Sequence, residues 1–195
     1  MYAYFDTHTA AGVLVTTAIG AWGMMELGQR SQQQREGATR IRGVERLALL
    51  AGLITSAAAA NLAPLVVPQA AIRPGIVAFA AGMVVLLAGL VLRGWSIKVL
   101  GEYFTSIVMV SSDQPVIATG PYRVLRHPSY AGVILAAIGI GLASANWAGL
   151  AVVPLLVVIP LLWRIHIEES ALMTTLGDRY RAYAAQHKRL VPLVW

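Results

Sequence analysis

The 195-residue sequence contains no cysteine. Disulfide bonds, thiolate metal sites and cysteine nucleophiles are therefore excluded together. Charged residues are also scarce, at 12% of the chain, whereas soluble globular domains average about 25%. Three long stretches carry no charged residue at all: Leu47–Ile72, Pro74–Leu92 and His127–Trp163. This composition rules out an ordinary soluble domain, a collagen-like repeat and a disordered tail, and it predicts a small integral membrane protein.

Acidic residues are fewer than basic ones, 9 against 15, which gives a formal net charge of +6. Such an excess can indicate nucleic-acid binding, but here the positions favour a membrane explanation. Every basic residue except Arg73 falls on one side of the predicted spans, and Lys and Arg gather in cytoplasmic loops. We therefore expect no nucleic-acid partner, an amino terminus outside and a carboxyl terminus in the cytoplasm. Residues 1–9 contain Asp6 and no basic residue, so the first span is not expected to be a cleaved signal peptide.

Five segments are apolar enough to cross a bilayer, which takes roughly 20 residues. They run over about Ala10–Leu27, Leu47–Val67, Pro74–Leu92, Pro128–Ala145 and Trp147–Trp163. The last two are separated by a corner at Asn146 and are predicted to form a tight helical hairpin. Small residues recur in the third and fourth spans and favour close helix packing, among them Gly82, Gly89, Gly132 and Gly139.

The expected fold is an all-α integral membrane protein with about five transmembrane helices and a cytoplasmic amphipathic helix after them. That last helix begins at Arg164 and continues to about Ala184, with an apolar stripe of Leu172, Leu176, Tyr180 and Tyr183. Residues 93–104 show helical spacing too and are interpreted as an interfacial helix. The chain is divided into residues 1–92, three spans with a basic loop, and residues 93–195, the half expected to be catalytic.

The first candidate site is the start of the fourth span. His127-Pro128 places a proline at the first helical position and His127 at the N-cap. A helix N-terminus attracts anionic groups, and Arg123, Arg126 and Tyr130 lie close by in sequence. Either these residues bind an anionic ligand or they anchor the helix with a capping histidine. The residues alone leave both interpretations open.

The second candidate site is the pair Arg164 and Glu168, which are four residues apart and lie on one side of a helix. Such spacing is typical of a simple surface ion pair. However, both residues lie where the fifth span ends, close to hydrocarbon, and ionisable groups at that depth often have a function.

These segments resemble the isoprenylcysteine carboxyl methyltransferase family. The resemblance covers about residues 93–190. The matching motifs are Gly101-x-x-Phe104, Thr119-Gly120-Pro121-Tyr122-Arg123-x-x-Arg126-His127-Pro128-x-Tyr130-x-Gly132, and Arg164-x-x-x-Glu168-Glu169 followed by Gly177 and Tyr180. The family transfers the methyl group of S-adenosylmethionine to the carboxylate of a prenylated C-terminal cysteine. Phospholipid methyltransferases share a looser version of the motif, and sterol reductases a still looser one.

The resemblance assigns roles to individual positions. It implies that the cofactor is bound by two segments of the chain and by one acidic residue. These residues are Gln114, Pro115, Val116, Ile117, Tyr122, His127, Pro128, Ser129, Tyr130 and Glu168. Family members often have a histidine where this chain has Gln114. The resemblance implies that Arg164 binds the substrate, and we expect Arg164 and Glu168 to be the catalytic residues. No metal is expected.

The predicted function is S-adenosylmethionine-dependent methylation of the carboxylate of a lipophilic acceptor at the cytoplasmic face, in a bacterial inner membrane. The expected partners are a lipophilic or prenylated substrate and membrane lipids. Alternatives are an N-methyltransferase for a phospholipid or another small lipid, an NADPH-dependent membrane reductase, and a non-enzymatic lipid binder. No glycine-rich loop follows a strand, so a soluble methyltransferase fold is excluded.

Overall fold

The computed structural model describes residues 39–40, 44–104 and 109–191. Within these ranges the chain forms five α-helices, which we number α1 Val44–Val66, α2 Gly75–Leu100, α3 Pro128–Ala143, α4 Trp147–Leu176 and α5 Asp178–Gln186. Short 3-10 helices occupy Pro68–Ala70, Gly101–Tyr103 and Gly120–Arg123. Two-residue strands, β1 Thr39–Arg40 and β2 Met109–Val110, pair antiparallel. The predicted first span, Ala10–Leu27, lies outside the described residues.

Three helical segments are long and apolar enough to cross a membrane: Leu47–Val66, Gly75–Tyr103 and Trp147–Leu176. Helix α3 is apolar but has only 16 residues, or about 24 Å at 1.5 Å per residue, against a hydrocarbon core of about 30 Å. The predicted class, an all-helical multi-pass membrane protein, is confirmed in this coarse form. The number of spans stays a prediction.

Two helices run further than the hydropathy pattern predicts. Helix α2 continues past Leu92 to Leu100, and α4 continues past Trp163 to Leu176. Both stop at a glycine with positive φ, Gly101 at 55° and Gly177 at 56°, a conformation that favours glycine and ends helices. The predicted unbroken helix from Arg164 to about Ala184 is therefore wrong, because Gly177 separates α4 from α5.

Helix α3 packs against both α2 and α4, and α1 packs against α4. The contact between α2 and α3 is close because glycines face the neighbouring backbone. A Cβ atom on Gly139 would lie 2.3 Å from the Leu86 nitrogen, and one on Gly82 would lie 2.4 Å from the Ala143 nitrogen. The close packing predicted from the small residues is confirmed at these positions.

The corner between α3 and α4 is held by the side chain of Asn146, which is 1% exposed. Its carboxamide oxygen accepts hydrogen bonds from the backbone N–H groups of Ala148 at 2.9 Å and Gly149 at 3.3 Å, and so caps α4. Its amide nitrogen donates to the Val67 carbonyl at 2.9 Å. One side chain thus starts α4 and ties the corner to the end of α1.

The apolar core lies among the four long helices and is built from Leu86, Val133, Ala137, Val153 and Val157. Apart from Asn146 at the corner, the buried polar side chains with long-range side-chain partners lie mostly at the opposite end of α3, near Pro128. Because α2 and α4 extend past that end, they leave a space that the segment 110–127 and α5 help to enclose.

Candidate active site

A cleft lies beyond the N-terminus of α3 and contains about 850 Å³ of space that no protein atom fills, open solvent at its mouth included. Its walls come from the end of α2, the segment 110–127, the first turn of α3, the second half of α4 and α5. Arg164 and Glu168 on α4 both line it. The charged residues that the sequence placed at the end of the fifth span therefore border a cavity.

Tyr130 links these two residues. The Arg164 Nε donates a hydrogen bond to the Tyr130 hydroxyl at 2.7 Å, and that hydroxyl donates to Glu168 Oε2 at 2.5 Å. The Arg164 guanidinium carbon also lies 5.8 Å from the centre of the tyrosine ring. Arg164 is only 4% exposed. Arg164 and Glu168, the i,i+4 pair of the sequence, are thus joined through the Tyr130 phenol on α3. These hydrogen bonds fix the orientation of both side chains.

His127 occupies the N-cap position of α3, but its side chain makes no capping hydrogen bond. Its ring instead places Nε2 3.2 Å from Glu169 Oε1 and stacks on Tyr130 at 5.5 Å between centroids. The interpretation that the His127 side chain caps α3 is therefore wrong. The ring therefore contacts the Glu169 carboxylate at its Nε2 edge and the Tyr130 ring on one face.

Glu169 is the centre of a buried ionic cluster that sequence reasoning missed. Arg126 Nη1 lies 2.8 Å from Glu169 Oε1, and Arg189 Nε lies 2.9 Å from Glu169 Oε2. Glu169 is 4% exposed. The adjacent Glu168-Glu169 pair was a visible signal, but nothing in the sequence indicated Arg189 as the partner.

Residues 188–190 run along the start of α3 and close the cluster. The backbone N–H of Arg126 donates to the Lys188 carbonyl at 2.7 Å, and that of His127 donates to the Arg189 carbonyl at 3.0 Å. Leu190 is buried in a separate, apolar cluster with Tyr130, Leu161 and Ile165. The backbone and the side chain of His127 are therefore both held by parts of the chain distant in sequence.

Tyr183 is a structural hydrogen-bond donor in its neutral form and lies beside a second buried tyrosine, Tyr122. Burial is the main cause that raises the pKa of Tyr122, and burial raises the pKa of Tyr183 to about 12. The Tyr183 hydroxyl donates to the Tyr122 carbonyl at 2.8 Å and to the Leu125 carbonyl at 3.3 Å. Helix α5 thereby fixes the segment that leads into α3.

The matches to known proteins fall on this part of the chain. Residues 80–174 match the sequence profile of the isoprenylcysteine carboxyl methyltransferase (ICMT) family. This match covers just under half of the chain. The protein-S-isoprenylcysteine O-methyltransferase of Tribolium castaneum is 32% identical over 115 residues, which are 58% of this chain and 41% of the relative. Protein-S-isoprenylcysteine O-methyltransferase A of Arabidopsis thaliana is 27% identical over 115 residues, 58% of each chain. The chain spans about half the length of the curated relatives it matches.

A solved structure extends the likeness to most of the chain. The structure of the eukaryotic intramembrane Ras methyltransferase ICMT superimposes with a TM-score of 0.60 over 93% of this chain and 67% of that chain, at 21% identity. At that identity the likeness shows a common fold. The membrane fold expected from the ICMT-like motifs is therefore present.

Nearly all residues that the ICMT resemblance assigned to the site meet at the cleft. The cleft is lined by Gln114, Pro115, Val116, Ile117, Tyr122, His127, Ser129, Tyr130, Arg164 and Glu168. Pro128 does not line it, because it is the fully buried first residue of α3. Their roles in binding and catalysis stay predictions.

The cleft has features suited to a ligand that combines a charged amino acid with a flat ring. Glu168 supplies a carboxylate, Gln114 an amide, and Leu172 and Leu176 an apolar wall. Across the described part of the chain there is no group of three or more His, Cys, Asp or Glu side chains that would hold a metal ion. This donor set fits S-adenosylmethionine, which carries a sulfonium, an amino acid and an adenine.

Proposed function

We propose that this protein is an S-adenosylmethionine-dependent methyltransferase. Its acceptor is the carboxylate of a lipophilic, isoprenylcysteine-like molecule at the cytoplasmic face of the membrane. One observation supports this more than any other: a buried arginine at the end of a membrane helix borders the same cleft as the ICMT motif residues. Arg164 is held there by Tyr130 at 2.7 Å.

The reaction needs positioning more than acid–base help. S-adenosylmethionine supplies an activated methyl group on its sulfonium sulfur. A carboxylate acceptor is already ionised at neutral pH and needs no general base. Holding the two reactants in line therefore supplies most of the rate. The residues of the cleft therefore have to bind the two reactants, orient them towards each other and exclude water.

Arg164 orients the acceptor in this proposal. A guanidinium is planar and offers a two-pronged set of N–H donors that matches a carboxylate. The bond from Arg164 Nε to Tyr130 fixes the plane of the guanidinium before substrate arrives. Glu168 accepts a hydrogen bond from the Tyr130 hydroxyl at 2.5 Å. Its carboxylate thereby keeps the phenol in place, and it offsets positive charge in the cleft.

The remaining motif residues would hold the cofactor. Gln114, Pro115, Val116 and Ile117 line one side of the cleft, Tyr122 lies beside them, and His127, Ser129 and Tyr130 lie at the start of α3. Pro128 contributes by fixing the first turn of that helix rather than by contact. The acceptor's apolar chain enters the cleft laterally from the bilayer, between helices.

The proposed topology has residues 1–92 as three spans with a basic loop and residues 93–195 as the catalytic half. It places the amino terminus outside a bacterial inner membrane and the carboxyl terminus in the cytoplasm. The positions of the basic residues support this orientation. Reporter fusions after Arg35 and after Arg181 should report the same cytoplasmic side. Opposite sides would contradict the topology.

The reaction is tested by transfer of a tritiated methyl group from S-adenosylmethionine to N-acetyl-farnesylcysteine and, in parallel, to phosphatidylethanolamine. A base-labile radioactive product from the first acceptor is expected, since methyl esters hydrolyse in base. A base-stable product from the second acceptor would instead establish N-methylation. Radioactivity in neither product would contradict methyl transfer to these acceptor classes.

Cofactor choice is tested by binding. The purified protein should bind S-adenosylhomocysteine and ignore NADPH. Replacing His127, Tyr130 or Glu168 by alanine should weaken S-adenosylhomocysteine binding by about 1–3 kcal/mol, the cost of losing a hydrogen bond in a buried site. Unchanged affinity in all three variants would refute the cofactor assignment, and binding of NADPH alone would favour a reductase.

A further inference from the structure

Arg93 is a buried cation next to the cleft that the proposed reaction has not used. The sequence pattern grouped it with the basic residues that mark the cytoplasmic side. In the fold it lies on α2 and is 3% exposed. Charged side chains are rarely buried this deeply unless they are bound to a partner or have a function.

Two residues of the cleft wall contact the Arg93 side chain. Its Nη1 donates a hydrogen bond to Ser129 Oγ at 2.9 Å, and its guanidinium carbon lies 5.9 Å from the centre of the Phe104 ring. The glycine packing of α2 on α3 brings them together, because a Cβ on Gly132 would lie 2.8 Å from the Arg93 backbone nitrogen. Arg93 therefore touches the cleft wall from behind.

This contact determines what the Ser129 hydroxyl can do. A guanidinium only donates hydrogen bonds, so Ser129 Oγ must be the acceptor, and its own proton points elsewhere. Ser129 is 4% exposed and lines the cleft. Within residues 44–104 and 109–191 that hydroxyl donates to no protein acceptor. A buried donor of this kind is costly unless a ligand accepts from it.

The surroundings favour an anionic acceptor for that proton. Ser129 lies in the first turn of the 16-residue helix α3, whose N-terminus carries positive partial charge. Arg164 borders the same cleft, and Arg93 stands directly behind Ser129. The carboxylate of Glu168 already accepts from Tyr130. A carboxylate from a ligand fits the hydroxyl, the helix end and the two guanidinium groups together.

We propose that Arg93 is a positioning residue that commits the Ser129 hydroxyl to donate into the cleft, forming a carboxylate-binding subsite at the N-terminus of α3. The inference rests on the proposed function, which offers two carboxylates as occupants. One is the reacting carboxylate of the acceptor, and the other is the amino-acid carboxylate of S-adenosylmethionine. The two sources share one chemistry and are separated by the choice of probe.

The test compares ligands with and without the carboxylate, by titration calorimetry on the full chain in nanodiscs. One pair is S-adenosylhomocysteine and its decarboxylated analogue. The other pair is N-acetyl-farnesylcysteine and its carboxamide. For the pair whose carboxylate binds at Ser129, Arg93→Gln and Ser129→Ala should each reduce the preference for the carboxylate form by about tenfold or more. The other pair should keep its preference.

Matched variants separate positioning from general damage to the fold. Lys98→Gln removes a positive charge from an exposed position of the same helix, α2, and should leave both preferences unchanged. Arg93→Lys keeps a charged donor and should restore part of the preference. Ser129→Ala removes a single oxygen and leaves the rest of the wall in place.

The outcomes are distinct. If Arg93→Gln and Ser129→Ala lower the affinity for both members of a pair equally, Arg93 is only structural and the inference is overturned. Unchanged affinities for all four probes overturn it as well. Wild-type protein that binds none of the probes overturns the inference together with the proposed function. Wild-type binding with unchanged carboxylate preferences in the variants overturns the inference alone.

Discussion

The two ends of α3 are both buried, but they are held in different ways. Towards Ala143 the helix touches α2 through glycines with backbone against backbone, and within the described ranges no side-chain hydrogen bond joins the two helices at that end. Towards Pro128 the glycine contact continues at Gly132, and side chains of α2 and α4 hold the helix as well, among them Arg93, Arg164 and Glu169. Lipid gives no hydrophobic drive for helix association, so close van der Waals contact has to stabilise the first end. The second end needs oriented polar groups, and its neighbours supply them.

The largest expected effect is at the polar end, from Glu169→Ala. The change leaves Arg126, His127 and Arg189 around an empty position, and breaking a buried ion pair on one side costs about 3–5 kcal/mol. The free energy of unfolding in detergent measures it. Asp178→Ala is the matched control, because it removes the acidic partner of Arg181 at an exposed site and should change stability little. Equal losses in both variants would contradict the distinction between buried and exposed pairs.

At the apolar end, Gly139→Val should destabilise the protein by about 1–3 kcal/mol or more, because the new Cβ would lie 2.3 Å from a backbone nitrogen of α2. Ala88→Val adds methyl groups at an exposed position of α2 and serves as the control. Thermal unfolding of both variants in the same detergent provides the comparison. A Gly139→Val protein as stable as Ala88→Val would mean that the helices can separate freely.

Arg164→Lys tests whether the polar end acts on substrate. Lysine keeps the charge but loses the planar pair of donors, so turnover on a carboxylate acceptor should fall by about tenfold or more. Binding of S-adenosylhomocysteine should survive, since the proposed cofactor contacts come from other residues. Near wild-type turnover would reduce Arg164 to an ion-pair residue. Equal loss of binding and turnover would move it into the cofactor site.

The smallest effect concerns alkaline pH. Burial raises the pKa of Tyr183 from about 10 to about 12, so the folded state favours the neutral phenol. This stabilisation is complete below pH 10 and is lost as the pH rises through 12. Tyr183→Phe has no such proton to lose, so its unfolding temperature should fall less steeply between pH 9 and 12 than that of wild type. Parallel curves would contradict a pKa of Tyr183 that is raised by burial in the folded state.

Much of the fold could be predicted because the membrane limits the choices. A chain that crosses lipid must form long apolar helices, so the spans predicted over about Leu47–Val67 and Pro74–Leu92 were visible in hydropathy alone. The places where those helices end were not visible. Hydropathy falls at Arg93 and at Arg164, but a polar helix continues as readily as an apolar one until a glycine adopts positive φ.

The candidate site was predictable where its residues are near one another in sequence. The run from Tyr122 to Tyr130 and the pair Arg164 and Glu168 were both singled out, and the fold joins them through one phenol. Contacts between distant segments gave no such signal. Arg93 was interpreted as a topology marker, and the bond from Arg189 to Glu169 depends on how the end of α5 turns back.

The pairing of residues 188–190 with the start of α3 determines when this part of the fold can form during synthesis. Lys188 and Arg189 accept backbone hydrogen bonds from Arg126 and His127, yet the ribosome adds them about 60 residues later. At about 5–20 residues per second, that interval is roughly 3–12 s. During this time the helices α1 to α3 can already be in the membrane, while the backbone N–H of His127 lacks its carbonyl acceptor and Glu169 lacks Arg189. Assembly of the cleft is therefore a late event in synthesis, after the membrane helices have been made.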